Sequence, residues 1–163
     1  MQRPLSPAGI PLSPDDLTQV LAEARKLQAS AGTGKTRNAL RGKKIGLLCE
    51  QNDAPDAILF RGAALDLGAH VAHLRPGLSA LSTPQEVQDT ARMLGRLYDA
   101  VECQGMSPAL VRQMGIDAGV PVYDGLASAV HSTAKLVDQL DGDSASGDRR
   151  RIVLQATLLA TLA

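Results

Sequence analysis

Residues 44–74 read KIGLLCEQNDAPDAILFRGAALDLGAHVAHL. An apolar run over residues 44–49 breaks off at polar residues. Residues 55–67 are helical in pattern and are stopped by Gly68, and residues 69–74 form a second strand-like run. Two strands joined through a helix form a βαβ unit, because a parallel pair needs a crossover connection of about this length. The reading therefore predicts a strand, a helix and a strand, with the strands side by side and pointing the same way.

Working outward, the alternation continues. A loop around Pro76-Gly77 is followed by Thr83-Pro84-Gln85-Glu86, a capping box with proline in the first turn. It predicts a helix with the face Val87, Ala91, Leu94 and Leu97. Residues 99–103 read as a third strand. Ser107-Pro108 opens another helix, ended by Gly119; residues 121–123 read as a fourth strand and residues 126–140 as a further helix. On the other side, Ser13-Pro14-Asp15-Asp16 starts a helix: Ser13 can cap, Pro14 suits the first turn, and two acids favour the positive dipole end. Leu17, Val20, Leu21, Ala24 and Leu27 share one face, and the break falls after Ser30, at Ala31-Gly32-Thr33-Gly34. Strict strand–helix alternation predicts an α/β fold: a four-stranded parallel sheet with helices on both faces. In domain terms, residues 1–12 are an irregular arm, residues 13–140 the domain and residues 141–148 a linker. Residues 149–163 are a terminal helix, apolar nearly all round, that must be covered on most sides. The linker reaches at most roughly 26–29 Å when fully extended.

Composition narrows the function classes. The formal charge is zero and no basic stretch dominates, which argues against nucleic-acid binding. Aromatic residues make up 2% with no Trp, so stacking platforms have almost nothing to be built from. The two cysteines, Cys49 and Cys103, form no C-x-x-C pair; that fits a reducing, cytoplasmic setting and reduced thiols closing the first and third strands. The first fourteen residues hold four prolines and no apolar core of a secretion signal, and the apolar stretch over residues 152–163 is too short to span a bilayer. Neither a membrane nor a nucleic acid is an expected partner.

Four places resemble the amino-terminal domain of the ornithine/aspartate carbamoyltransferase family. They are residues 40–50, LRGKKIGLLCE; residues 64–70, ALDLGAH; residues 89–94, DTARML, with Asp99-Ala100-Val101; and residues 120–126, VPVYDGL, running into His131. Residues 148–162 are similar to the final helix of ornithine carbamoyltransferases, which in that family returns from the second domain to pack on the first. The resemblance implies an internal deletion: the second domain is gone and a short linker joins the helices that flanked it. The terminal helix is then expected on the opening helix, with Ile152, Ala156, Leu159 and Ala163 meeting Leu17, Val20, Leu21 and Ala24.

The family's phosphate-binding motif is Ser-Thr-Arg-Thr-Arg at the start of the first domain's second helix. The matching positions here are Asp53, Ala54, Pro55, Asp56 and Ala57. A helix N-terminus holds a phosphate through free N–H groups, the positive dipole end and added cations. Both arginines are absent, Pro55 removes a donor, and Asp53 and Asp56 bring negative charge where a dianion would sit. Asp53 is also a candidate helix cap that would occupy the vacated anion position. The family's His-Pro-Cys-Gln reads His131-Ser132-Thr133-Ala134, and an arginine expected after the third strand falls near Gln104. The resemblance thus marks a vestigial ligand-binding site of Asn52, Asp53, Ala54, Asp56, Gln104 and His131, with no catalytic residue, no metal ligand and no cofactor.

Rival motifs fail on context. Gly32-Thr33-Gly34-Lys35-Thr36 has the end of a phosphate-binding loop, but Ala29 stands where the first glycine is needed and a helix precedes it instead of a strand. His70 and His73 fall on opposite faces of a strand and cannot share a metal. An Asp53 phosphorylation site of receiver type lacks the surrounding acidic cluster. The expected function is a degenerate, non-catalytic carbamoyltransferase-like protein acting as a binding or assembly module. One alternative is a carbamoyltransferase subunit of arginine or pyrimidine metabolism completed by a partner chain; the other is a small-ligand binder at the strand-end crevice. The expected partners are further copies of the chain, as a homotrimer, or a full-length carbamoyltransferase.

Overall fold

The computed structural model describes residues 12–30, 36–79, 81–140 and 146–163. The irregular arm over residues 1–12, the glycine-rich break with its Gly-Thr-Gly-Lys, and the linker core over residues 141–145 lie wholly or almost wholly outside them. The elements are α1 (Pro14–Ala29), β1 (Lys44–Leu48), α2 (Pro55–Asp66), β2 (His70–Leu74), α3 (Pro84–Leu97), β3 (Ala100–Cys103), α4 (Pro108–Ala118), β4 (Val122–Asp124), a 3-10 helix (Ser132–Gln139) and α5 (Ser146–Leu162).

The four strands form one parallel sheet in the order β2-β1-β3-β4. Leu48 stands level with Leu74 on one side and with Cys103 on the other, and Cys103 with Asp124. All strands therefore end at one edge. Cys49 and Cys103 close β1 and β3 there, and both are buried free thiols, as the strand reading expects.

Strand alternation divides the interior in two. Ile45, Leu47, Ala100 and Tyr123 face a layer made by α1, α2, the 3-10 helix and α5. Leu48, Val101, Cys103 and Val122 face a layer made by α3 and α4. The helix starts follow from local chemistry. Ser13 and Asp16 form a reciprocal capping box, with Asp16 N donating to Ser13 Oγ at 3.1 Å and Ser13 N to Asp16 Oδ2 at 3.0 Å. Thr83 and Glu86 do the same for α3. Gly119 ends α4 in the left-handed region, at φ 74°, where a side chain would be strained.

Several expectations need correction. Leu97 is 55% exposed; the buried stripe of α3 runs Val87, Ala91, Leu94 and on to Tyr98, whose ring lies against Gly46 of β1. The α-helix expected over residues 126–140 is instead a turn followed by the 3-10 helix. The last helix begins at Ser146 and not at residue 149, so residues 146–148 belong to it and not to the linker. As expected, it packs on α1, and it also touches α2 and the 3-10 helix. Val153, Leu154, Ala156, Leu158 and Leu159 are buried, but Ala163 is exposed and takes no part. Near its end, Thr161 meets the Tyr123 hydroxyl at 2.5 Å. No described helix is long and apolar enough to cross a membrane.

Candidate functional site

The chain runs from β1 outward to β2, then returns across β1 to β3. Ligands of open parallel sheets bind outside the carboxyl ends of the strands at such a reversal. Here that point lies between Cys49, after β1, and Gln104, after β3, whose N–H donates to Leu48 O at 2.9 Å.

Asn52, Asp53 and Ala54 lie in the loop that leads into α2. Ala54 is the N-cap and makes no side-chain capping bond, so Asp53 does not cap the helix, contrary to the expectation. Asp56 sits in the first turn, where its charge favours the helix dipole. Asn52 is turned toward α2: Arg61 donates to its backbone carbonyl at 2.7 Å and to its side-chain oxygen. Gln104 Nε2 donates to Asp56 O at 3.1 Å and to Glu102 Oε2 at 3.2 Å, so Gln104 and the start of α2 do come together.

Glu102 is the centre of the arrangement and was not singled out by the sequence. It is fully buried on the α1–α2–α5 face of β3. Its Oε1 accepts from Leu126 N at 2.9 Å and its Oε2 from Ala127 N at 3.2 Å. Burial pushes its carboxyl up to about 8, against the pull of these donors and Gln104. The same turn is held from its other side by Arg150 of α5, which is 9% exposed. Arg150 donates to Leu126 O, to Ser128 O at 3.4 Å and to Thr133 Oγ1 at 3.3 Å. Burial lowers its affinity for the proton while Glu102 and Asp56 raise it. His131 caps the 3-10 helix, its Nδ1 accepting from Thr133 N at 3.1 Å and standing 2.9 Å from Thr133 Oγ1. Burial and the Arg150 charge push the imidazole down to about 4, so it is neutral at pH 7. A charged residue inside the apolar run Ala100-Val101-Glu102-Cys103 was the available signal for Glu102. Nothing separates Arg150 from Arg149 and Arg151 in sequence.

The six expected residues thus divide. Gln104 bonds the Asp56 carbonyl, and His131 joins them through Thr133, Arg150, Leu126 and Glu102. Asn52, Asp53 and Ala54 stay outside this network. Among the described residues no three His, Cys, Asp or Glu side chains converge as metal ligands would.

Fold and crevice define an open α/β domain of the kind that takes ligands at its strand ends. The description "Aspartate/ornithine carbamoyltransferase, carbamoyl-P binding domain" matches residues 10–141, and the chain belongs to this family. A catabolic ornithine carbamoyltransferase of Mycoplasma capricolum subsp. capripneumoniae is 35% identical over 136 residues, covering 83% of this chain and 44% of that protein. The ornithine carbamoyltransferase structure from Pyrococcus furiosus matches with a TM-score of 0.63 at 26% identity, over 77% of this chain and 40% of that one. The Burkholderia thailandensis E264 enzyme shares the fold, with a TM-score of 0.62 at 20% identity, over 76% of this chain and 43% of that one. The chain therefore spans less than half the length of these relatives.

Proposed function

We infer that this chain is a carbamoyltransferase-family domain that does not transfer a carbamoyl group and serves as a binding or assembly module. One observation carries the reading. The first turn of α2, where the family resemblance puts the phosphate, is Pro55-Asp56-Ala57 after an uncapped Ala54, with a carboxylate and no arginine. A dianion needs N–H donors and cations at a helix start. The nearby polar groups are engaged elsewhere: Gln104 bonds Asp56 O and Glu102, and Arg61 bonds Asn52. Isothermal titration with carbamoyl phosphate, followed by an assay with ornithine and with aspartate, tests it. The expected result is no saturable heat at micromolar ligand and no carbamoylated product; saturable micromolar binding overturns the reading.

The assembly half of the reading is a homotrimer, as the family resemblance implies. Light scattering at high protein concentration checks it, and a monomer there counts against it. A carbamoyltransferase completed by a partner chain would instead raise carbamoyl transfer above the level of the partner alone when mixed with a full-length carbamoyltransferase.

A further inference from the structure

Two buried ionisable side chains from distant parts of the chain grip the same short turn. Glu102, on β3, takes the N–H groups of Leu126 and Ala127. Arg150, on α5, takes the carbonyls of Leu126 and Ser128 and the hydroxyl of Thr133. Neither side chain spends these bonds on an oppositely charged partner; both spend them on the segment between Gly125 and Thr133.

Otherwise the segment is anchored at its start, where Gly125 N donates to Cys103 O at 2.8 Å, and by the burial of Leu126 and Ala127. Gly125 bends at φ +63°, Leu126 and Ala127 are buried, but Ala129 and Val130 are exposed, Val130 by 93%. The local bonds are short-range turns, Ser128 N to Gly125 O at 2.9 Å and His131 N to Ser128 O at 3.1 Å. A guanidinium is suited to the task because its planar fork can serve several carbonyls at once. Arg150 Nε has no partner, so the bonds its other two guanidinium nitrogens make to this segment are what offset the burial of the cation, and the segment and the helix need each other.

We propose that Arg150 is a positioning residue that couples the seating of the terminal helix to the conformation of the Gly125–Thr133 segment, so that the strand-end crevice beside β3 is fully formed only when α5 is docked. Ordering one side then orders the other, and the coupling is reciprocal. This goes beyond the reading of the α2 anion position and does not depend on it.

The test is residue-level amide hydrogen exchange on the full chain, comparing wild type with Arg150→Met. Methionine keeps the length and apolar stem that packs in α5 and removes the fork. The expected result is exchange faster by roughly tenfold to a hundredfold over residues 125–133, the range set by losing hydrogen bonds to a charged group. Exchange in β1 and in the α3–α4 layer stays as in wild type. Unchanged protection over residues 125–133 overturns the proposal. So does a uniform acceleration through the whole chain, which would make Arg150 a contributor to global stability and nothing more. Should Arg150→Met not fold, Arg150→Lys keeps the charge and loses the fork: selective acceleration at 125–133 supports the coupling, and its absence refutes it. In the reverse direction, Thr161→Val removes the hydroxyl that meets Tyr123 and loosens the far end of α5, with no substitution beside the turn. It should raise exchange at residues 125–133 as well, and no change there counts against coupling through the helix.

Discussion

The α3–α4 layer and the α1–α2–α5 layer cover the same four strands by different means. The first is apolar throughout: Val87, Ala91 and Leu94 of α3, with Val111 and Met114 of α4, close over Leu48, Val101, Cys103 and Val122. Its elements are consecutive in sequence. The second layer is assembled from both halves of the chain and contains buried ionisable groups, Glu102 and Arg150, with Thr133 and Thr157 also buried. An apolar layer needs only area and shape, each fully buried Leu or Val contributing about 1.5–3 kcal/mol. A layer with buried charge must also satisfy every donor and acceptor. The difference teaches where specificity lies: the first layer is tolerant of sequence but not of volume, and the second the reverse.

The sharpest way to break the first layer is to add one methyl group where two helices touch. A Cβ on Gly95 of α3 would stand 1.9 Å from the Ala118 carbonyl oxygen of α4, a backbone atom that cannot swing aside. Gly95→Ala should destabilise the chain by about 3 kcal/mol or more, the upper range for overpacking, as measured by urea unfolding. A loss under about 1 kcal/mol would mean the helices part easily and the layer is less close-packed than described.

In the second layer Glu102→Leu is expected to cost about 2–4 kcal/mol, because it strands the buried Leu126 and Ala127 amides and takes away an acceptor of Gln104. Glu102→Leu combined with Arg150→Met should cost less than the sum of the two single changes. Strict additivity in a double-mutant cycle would show that the two side chains do not share the turn.

Much of this was legible in the residues. The capping pairs Ser13–Asp16 and Thr83–Glu86, the stop at Gly119 and the apolar strand runs each act locally, and each element they announce is present. The segment over residues 126–140 was not legible, because its conformation is decided from afar. Arg150 takes up the Leu126 and Ser128 carbonyls that an α-helix would have paired internally, while Glu102 fixes the Leu126 and Ala127 amides. Leu97 was misjudged for a simpler reason: Tyr98 continues the i, i+3, i+4 stripe and Leu97 falls beside it. Of the candidate site, Asp56, Gln104 and His131 were reached through the family resemblance. Glu102, whose strand position matches Leu47 on β1 and Tyr123 on β4, needed the sheet register to be noticed.

The layers also differ in pH response. Folding holds the Glu102 proton more tightly than the unfolded chain does, up to about 8 against an ordinary 4.5, so its contribution is present at low pH and lost as pH rises through that window. His131 runs the other way. Its folded value of about 4 lies below the ordinary 6.5, so its contribution is full above 6.5 and lost as pH falls toward 4. Between pH 6.5 and 8 Glu102 acts alone of the two, and urea midpoints should fall as pH rises. Glu102→Gln should flatten that limb. A wild-type midpoint that rises from pH 6.5 to 8 would contradict the assignment. The smallest effect is expected at Leu97, where Leu97→Gln on the exposed flank of α3 should change stability by under about 0.5 kcal/mol.

The chain has two tyrosines and no tryptophan. Tyr98 lies against Gly46 on the α3–α4 side, and Tyr123 is buried on the other side with its hydroxyl 2.5 Å from Thr161 of α5. Each layer therefore carries its own ultraviolet chromophore. With Tyr98→Phe, tyrosine absorbance and emission would report solely on Tyr123, whose hydrogen-bonded, water-excluded ring should shift to a solvent-like spectrum when the end of α5 lifts. The unseating of one helix could then be followed optically, with no dye and no introduced label.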